Sequence, residues 1–142
     1  MTTAKTVPLG LTLGDVCGIG PEIIAKFFRE PASAGCVVVG DVAALRRAAA
    51  LTGGLLAVGV VTCPADALQA PPNCVPVLQV DGLPPDLLDA TLGRVDARAG
   101  RAAAACIARA VELAQAGAIG AIVTAPIHKE ALAAAGVGYP GH

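Results

Sequence analysis

The chain has 142 residues, 10 Lys and Arg against 11 Asp and Glu, and a formal net charge of −1. That length permits one compact domain with a real core, or part of a larger one, and the near-neutral charge gives no footprint for nucleic acid. Only 2% of residues are aromatic and there is no Trp, which gives little support to base-stacking platforms or aromatic sugar clamps.

Mean hydropathy is high, at +0.69, yet Gly, Pro, Asp and Arg interrupt every apolar run before the ~20 residues a membrane span needs. The N-terminus shows no small-residue cleavage site. These features set the expectation of a cytoplasmic chain without membrane contact. Cys17, Cys36, Cys63, Cys74 and Cys106 are odd in number, scattered, and never spaced C-x-x-C. Buried thiols acting as small hydrophobes are therefore expected, rather than disulfides or a zinc site.

In chain order, residues 7–13 read as a strand with Pro8 near its start, where a missing N–H is tolerated. A glycine-rich loop follows over 14–20. Pro21 suits a first helical turn and Glu22 complements the helix N-terminus, which predicts a helix over 21–29 stopped by Pro31. The β-branched run at 36–40 predicts a strand buried on both faces. Asp41 is a natural N-cap for a helix over 42–51, ended by Gly53 and Gly54. Residues 56–62 and 75–80 read as further strands, 65–73 as loop, and 81–89 as a connection. The alanine-rich stretch 97–116 predicts a long helix closed by Gly117. Residues 118–124 read as a core strand, 125–129 as a loop, and 129–135 as a short helix stopped by Gly136. This alternation of strand and helix is α/β order.

Three segments could carry chemistry. The loop with Gly14, Asp15, Gly18 and Gly20 lies between a strand and a helix, where glycines permit positive φ and close ligand approach. As a dinucleotide fingerprint it is incomplete: Ile23 occupies the third glycine position and Pro21 removes one donor. Asp41 then lies where a ribose-binding acid would, or simply caps its helix. The loop is not a P-loop, since no Gly-Lys-Ser/Thr follows. Second, Thr124, His128 and Lys129 stand at the carboxyl end of a predicted strand, where open α/β sheets bind ligands. Together they could contact a phosphate or carboxylate, or they could merely cap and solvate a turn. Third is the terminal His142. The spacing of His128 and His142 does not suit a metal site, so no metal ligand is assigned, and Ser33, the single serine, sits in no nucleophile elbow.

Taken in order, LTLGDVCGIGPE (11–22), VTAPIHK (123–129) and YPGH (139–142) resemble the 4-hydroxythreonine-4-phosphate dehydrogenase (PdxA) family. The usual patterns there are T-x-G-D-P-A-G-I-G-P-E, T-[GA]-P-[IV]-H-K and F-x-G-H-T-E. Val16-Cys17 replaces Pro-Ala, Tyr139 replaces Phe, and the Thr-Glu after the last histidine is absent. The resemblance implies a three-layer α/β/α fold like the isocitrate and isopropylmalate dehydrogenases, with residues 1–142 forming the N-terminal part of a larger two-domain homodimer. It implies NAD-dependent oxidation and decarboxylation of 4-phosphohydroxy-L-threonine to 3-amino-2-oxopropyl phosphate, on the route to pyridoxal phosphate, with a divalent metal whose three histidine ligands lie beyond residue 142.

By the same resemblance His142 is a substrate ligand, and Thr124, His128 and Lys129 lie near the cleft. Gly14, Asp15, Gly18 and Gly20 shape it. These 142 residues alone are then expected to be inactive. Two alternatives stand beside this reading: a phospho-D-threonate or erythronate dehydrogenase of the same family, and a complete, non-catalytic α/β domain that binds a ligand or partner.

Overall fold

The computed structural model describes residues 6–138. Five strands form one all-parallel sheet: β1 (Leu9–Thr12), β2 (Cys36–Gly40), β3 (Ala57–Val61), β4 (Cys74–Gln79) and β5 (Ile122–Thr124). They lie in the order β3-β4-β2-β1-β5. The described residues also form four α-helices, of which the first three lie between strands and the last follows β5: α1 (Gly20–Phe27), α2 (Val42–Leu51), α3 (Ala97–Gln115) and α4 (Lys129–Ala134). Among the described residues no helix is long and apolar enough to cross a membrane.

The layers follow from handedness. The β1-α1-β2 and β2-α2-β3 crossovers step one way along the sheet, and β4-α3-β5 steps the other way. Right-handed connections therefore place α1 and α2 on one face and α3 on the opposite face. The packing agrees: α1 touches α2, α2 lies on β3 and β4, and α3 lies on β1, β2 and β5 with α4 against it. This is the expected α/β/α sandwich. Central β2 is buried along its whole length, with Val37, Val38 and Val39 at 0% exposure. Burying each such side chain contributes about 1.5–3 kcal/mol.

Asp41 caps α2 as its sequence context predicts. Its side chain accepts from the Ala44 amide at 2.9 Å and from Gln79 Nε2 at 3.0 Å, and the helix occupies the expected 42–51. Asp96 caps α3 in the same way, accepting from the Arg98 amide at 2.8 Å.

Four element readings are corrected, at β1, α1, residues 65–73 and residues 118–124, and of the thiols expected to be buried Cys63 is exposed and Cys74 half-buried. β1 is shorter than 7–13, and α1 ends at Phe27 rather than 29, its C-cap Phe28 donating to the Ile24 carbonyl. The stretch read as loop over 65–73 contains a 3₁₀ helix, Pro64–Gln69. Pro76 stands inside β4, a central strand, and the ladder to β2 begins only one residue later, at Val77.

The largest correction concerns residues 118–124, expected to be a core strand. Only Ile122–Thr124 are extended, they pair with β1 alone, and Val123 is 50% exposed. Ile119 carries the burial instead, at 2% exposure, while the Gly120 amide donates to the Pro8 carbonyl at 3.0 Å. Among the described residues nothing pairs with the outer side of β5.

Candidate functional site

In a parallel sheet, ligands are met at the carboxyl ends of the strands, where neighbouring strands send their connections to opposite faces. Here one such point lies between β1 and β5 and another between β2 and β4, whose connections run to α2 and α3 on opposite faces; the loops with candidate groups meet at the first. The loop after β1 runs to α1 on one face, and the loop after β5 runs to α4 on the other. The two chemistry-bearing loops of the sequence are these two loops, and the fold makes them neighbours.

Their junction is a backbone contact. The Asp15 amide donates to the Pro126 carbonyl at 2.9 Å, and the Ala125 amide donates to the Thr12 carbonyl at 3.3 Å. Gly14 makes the first of these possible. It holds φ +74°, and a Cβ there would lie 2.6 Å from the Pro126 oxygen and 2.9 Å from the Ala125 methyl. Gly20 is needed for room, since a Cβ would stand 2.8 Å from the Leu13 carbonyl. Gly18 is exposed, and its nearest neighbour would be an ordinary contact at 3.5 Å.

Asp15 is buried, and its Oδ1 accepts from the Cys17 amide at 2.7 Å. The loop thus supplies its own anion to one of its own amides. With Pro21 at the start of α1, this arrangement does not fit the diphosphate cradle of a dinucleotide site. Asp41 is occupied as a helix cap, the plainer of its two possible roles. Cys17, on the same loop, is buried, and burial first, then the negative charge of Asp15, raise its thiol pKa above the ordinary value, which disfavours the thiolate. Cys36 is raised by burial, and burial pushes Cys106 up to about 12.

On the second loop Thr124, His128 and Lys129 are all exposed. His128 is the N-cap residue of α4, and its carbonyl accepts from the Leu132 amide at 3.1 Å, but its side chain makes no capping bond. The three polar groups therefore remain available at the carboxyl edge of β5. A hydroxyl, an imidazole and an ammonium in this position suit an anionic ligand. His142, with the whole 139–142 segment, lies outside the described residues.

A divalent cation fits less well. Among the described residues no cluster of three His, Cys, Asp or Glu side chains could hold one. Sequence reasoning overlooked two groups near the loops. Thr12, at the end of β1, is fully buried and its Oγ1 has no hydrogen-bond partner; position two before the first glycine of the loop was the available signal. Arg47, on α2, reaches the loop from the side, and nothing in its helical context marks it out.

Residues 32–142 match the family described as "Pyridoxal phosphate biosynthetic protein PdxA". The chain is 45% identical over 139 residues to a 4-hydroxythreonine-4-phosphate dehydrogenase of Beijerinckia indica subsp. indica, covering 95% of this chain and 39% of that protein. It is 42% identical over 137 residues to a D-threonate 4-phosphate dehydrogenase of Pectobacterium atrosepticum, covering 94% and 41%. The crystal structure of 4-hydroxythreonine-4-phosphate dehydrogenase from Klebsiella pneumoniae superposes with a TM-score of 0.85 at 42% identity, over 96% of this chain and 42% of that one. The chain thus spans about two-fifths of the length of the relatives it matches.

Proposed function

Because the chain belongs to the PdxA family, we propose that the protein containing it is an NAD-dependent dehydrogenase of a phosphorylated hydroxy acid, and that these residues build one wall of its cleft. The preferred substrate is 4-phosphohydroxy-L-threonine, oxidised and decarboxylated to 3-amino-2-oxopropyl phosphate in a cytoplasmic homodimer. The observation that carries this reading is the meeting of the two loops at the β1–β5 switch point, with Thr124, His128 and Lys129 exposed beside it.

The role of this chain is binding and orientation. Lys129 and His128 offer donors to the phosphate or carboxylate, Thr124 offers a hydroxyl, and the buried Asp15 keeps the opposing loop in shape. His142 is assigned to the substrate in the same reading. The residues described do not fit the divalent metal or the dinucleotide phosphates, so the reading assigns both cofactors to residues outside this chain. The 142 residues alone are accordingly expected to give no turnover.

Purified full-length protein, incubated with NAD and each phospho-acid, tests the reading by NADH absorbance. Turnover of 4-phosphohydroxy-L-threonine supports it. A second substrate, D-threonate 4-phosphate, is favoured by the similar identity to the Pectobacterium enzyme. NADH from that compound alone would make the second substrate the correct one, and NADH from neither would sink the dehydrogenase reading.

A further inference from the structure

Inside the glycine loop Asp15 accepts from the Cys17 amide through its carboxylate and from the Gly18 amide through its carbonyl. Three neighbours hold the loop from outside, one on the β5 side and two on the α2 side. On the β5 side the Asp15 amide is held by the Pro126 carbonyl. On the other side the Gly93 amide donates to the Cys17 carbonyl at 2.7 Å. Arg47 completes the set: one guanidinium nitrogen donates to the Val16 carbonyl at 3.2 Å, and the other donates to the Leu88 carbonyl at 3.3 Å.

The geometry points to Arg47 as a positioning residue for the substrate-facing loop, tying Val16 to the segment around Leu88 and thereby fixing the wall opposite Thr124 and Lys129. This rests on the dehydrogenase reading for its catalytic consequence, but not for its structural one. Three observations carry it. Arg47 has no ion-pair partner among the described residues, and both its hydrogen bonds go to main-chain carbonyls of segments remote in sequence. Its planar fork suits two acceptors at once, which a lysine ammonium on a flexible stem matches poorly. The loop it grips also carries Asp15, whose amide contacts the loop bearing the candidate binding groups.

The chain supplies its own control. Arg29 is equally committed, donating to Thr52 Oγ1 and to the carbonyls of Ala25, Ala49 and Gly54. It fastens the end of α1 to the end of α2, away from the glycine loop. A general loss of stability should therefore appear in Arg29→Met, whereas a loss of loop order should appear in Arg47→Met.

Hydrogen exchange on full-length protein reads the structural half without any substrate. Arg47→Met should accelerate exchange in the peptide covering residues 14–20, and Arg29→Met should leave that peptide unchanged. Steady-state kinetics reads the catalytic half. A loop that is ordered only part of the time reduces apparent affinity in proportion, so Arg47→Met should raise KM for the phospho-acid about tenfold with kcat within about twofold. Arg47→Lys should recover little of this. Unchanged loop exchange in Arg47→Met, or equal acceleration in both variants, would overturn the assignment. So would an unaltered KM in an active enzyme. If the parent protein oxidises neither phospho-acid, the dehydrogenase reading falls, and the exchange experiment alone decides the role of Arg47.

Discussion

Gly14 and Gly18 belong to one loop but face different constraints. At Gly14 a methyl group would meet both a left-handed backbone and the Pro126 carbonyl. Gly14→Ala should therefore cost about 2–4 kcal/mol, combining backbone strain and overpacking. Gly18→Ala meets only ordinary contacts and should stay within about 0.5 kcal/mol. Thermal unfolding of the two variants in full-length protein distinguishes them. Lys129→Met should raise KM for the phosphorylated substrate about tenfold or more, the loss expected for a hydrogen bond to a charged group.

Asp96 supplies a residue-scale pH dependence. Hydrogen bonds from the Arg98 side chain, then from its backbone, lower the Asp96 carboxyl to about 2. A lowered pKa in the folded state stabilises that state above the ordinary carboxyl value of 3.8 and loses its effect as pH falls through about 2. An NMR titration of Asp96 should show a midpoint near 2 in the parent, returning toward the ordinary value in Arg98→Met.

Among the elements, α3 and α4 meet more closely than their alanine-rich sequences suggest. A Cβ on Gly100 would collide with the Ala131 carbonyl and stand 2.8 Å from the Leu132 amide. Gly100→Ala should cost about 1–3 kcal/mol and push α4 outward, carrying His128 and Lys129 with it. A melting shift accompanied by a raised KM is the expected pair of results. No sequence rule singles out this glycine, which sits inside a helix of high propensity.

Other elements were plain from sequence because their signals are local. Asp41 followed by a helical pattern defined α2, and the valines at 37–39 defined a strand covered on both faces. β5 was misjudged for a physical reason. An apolar run such as AIGAIVT looks the same whether its neighbours are already present or belong to another part of a longer protein. The site divides similarly: the two loops were legible as motifs, but their contact through Asp15 and Pro126 is a product of topology. Arg47 was invisible, since a guanidinium aimed at main-chain carbonyls leaves no pattern in the sequence.

At the scale of the whole molecule, β5 ends the sheet with Val123 half exposed, and a groove of roughly 320 Å³ runs beside it. Leu9, Leu11, Ile23, Phe27, Val123 and Pro126 are among its lining residues. An unpaired strand edge beside apolar surface favours association. The 142-residue chain on its own should sediment as oligomers, and Val123→Lys should shift it toward monomer. A sharp monomer peak for the unsubstituted chain would contradict this.

The place of β5 beside β1 also bears on synthesis. β1 can pair with β2 as soon as both have left the ribosome, but its other neighbour emerges only after β2, β3, β4 and α3 have been made. The switch-point crevice therefore forms only after β2, β3 and β4 have been made, and its assembly depends on contacts between distant parts of the chain, which close slowly. A nascent chain stalled before residue 122 would carry β1 to β4 but not the β1–β5 pairing that brings the two loops together.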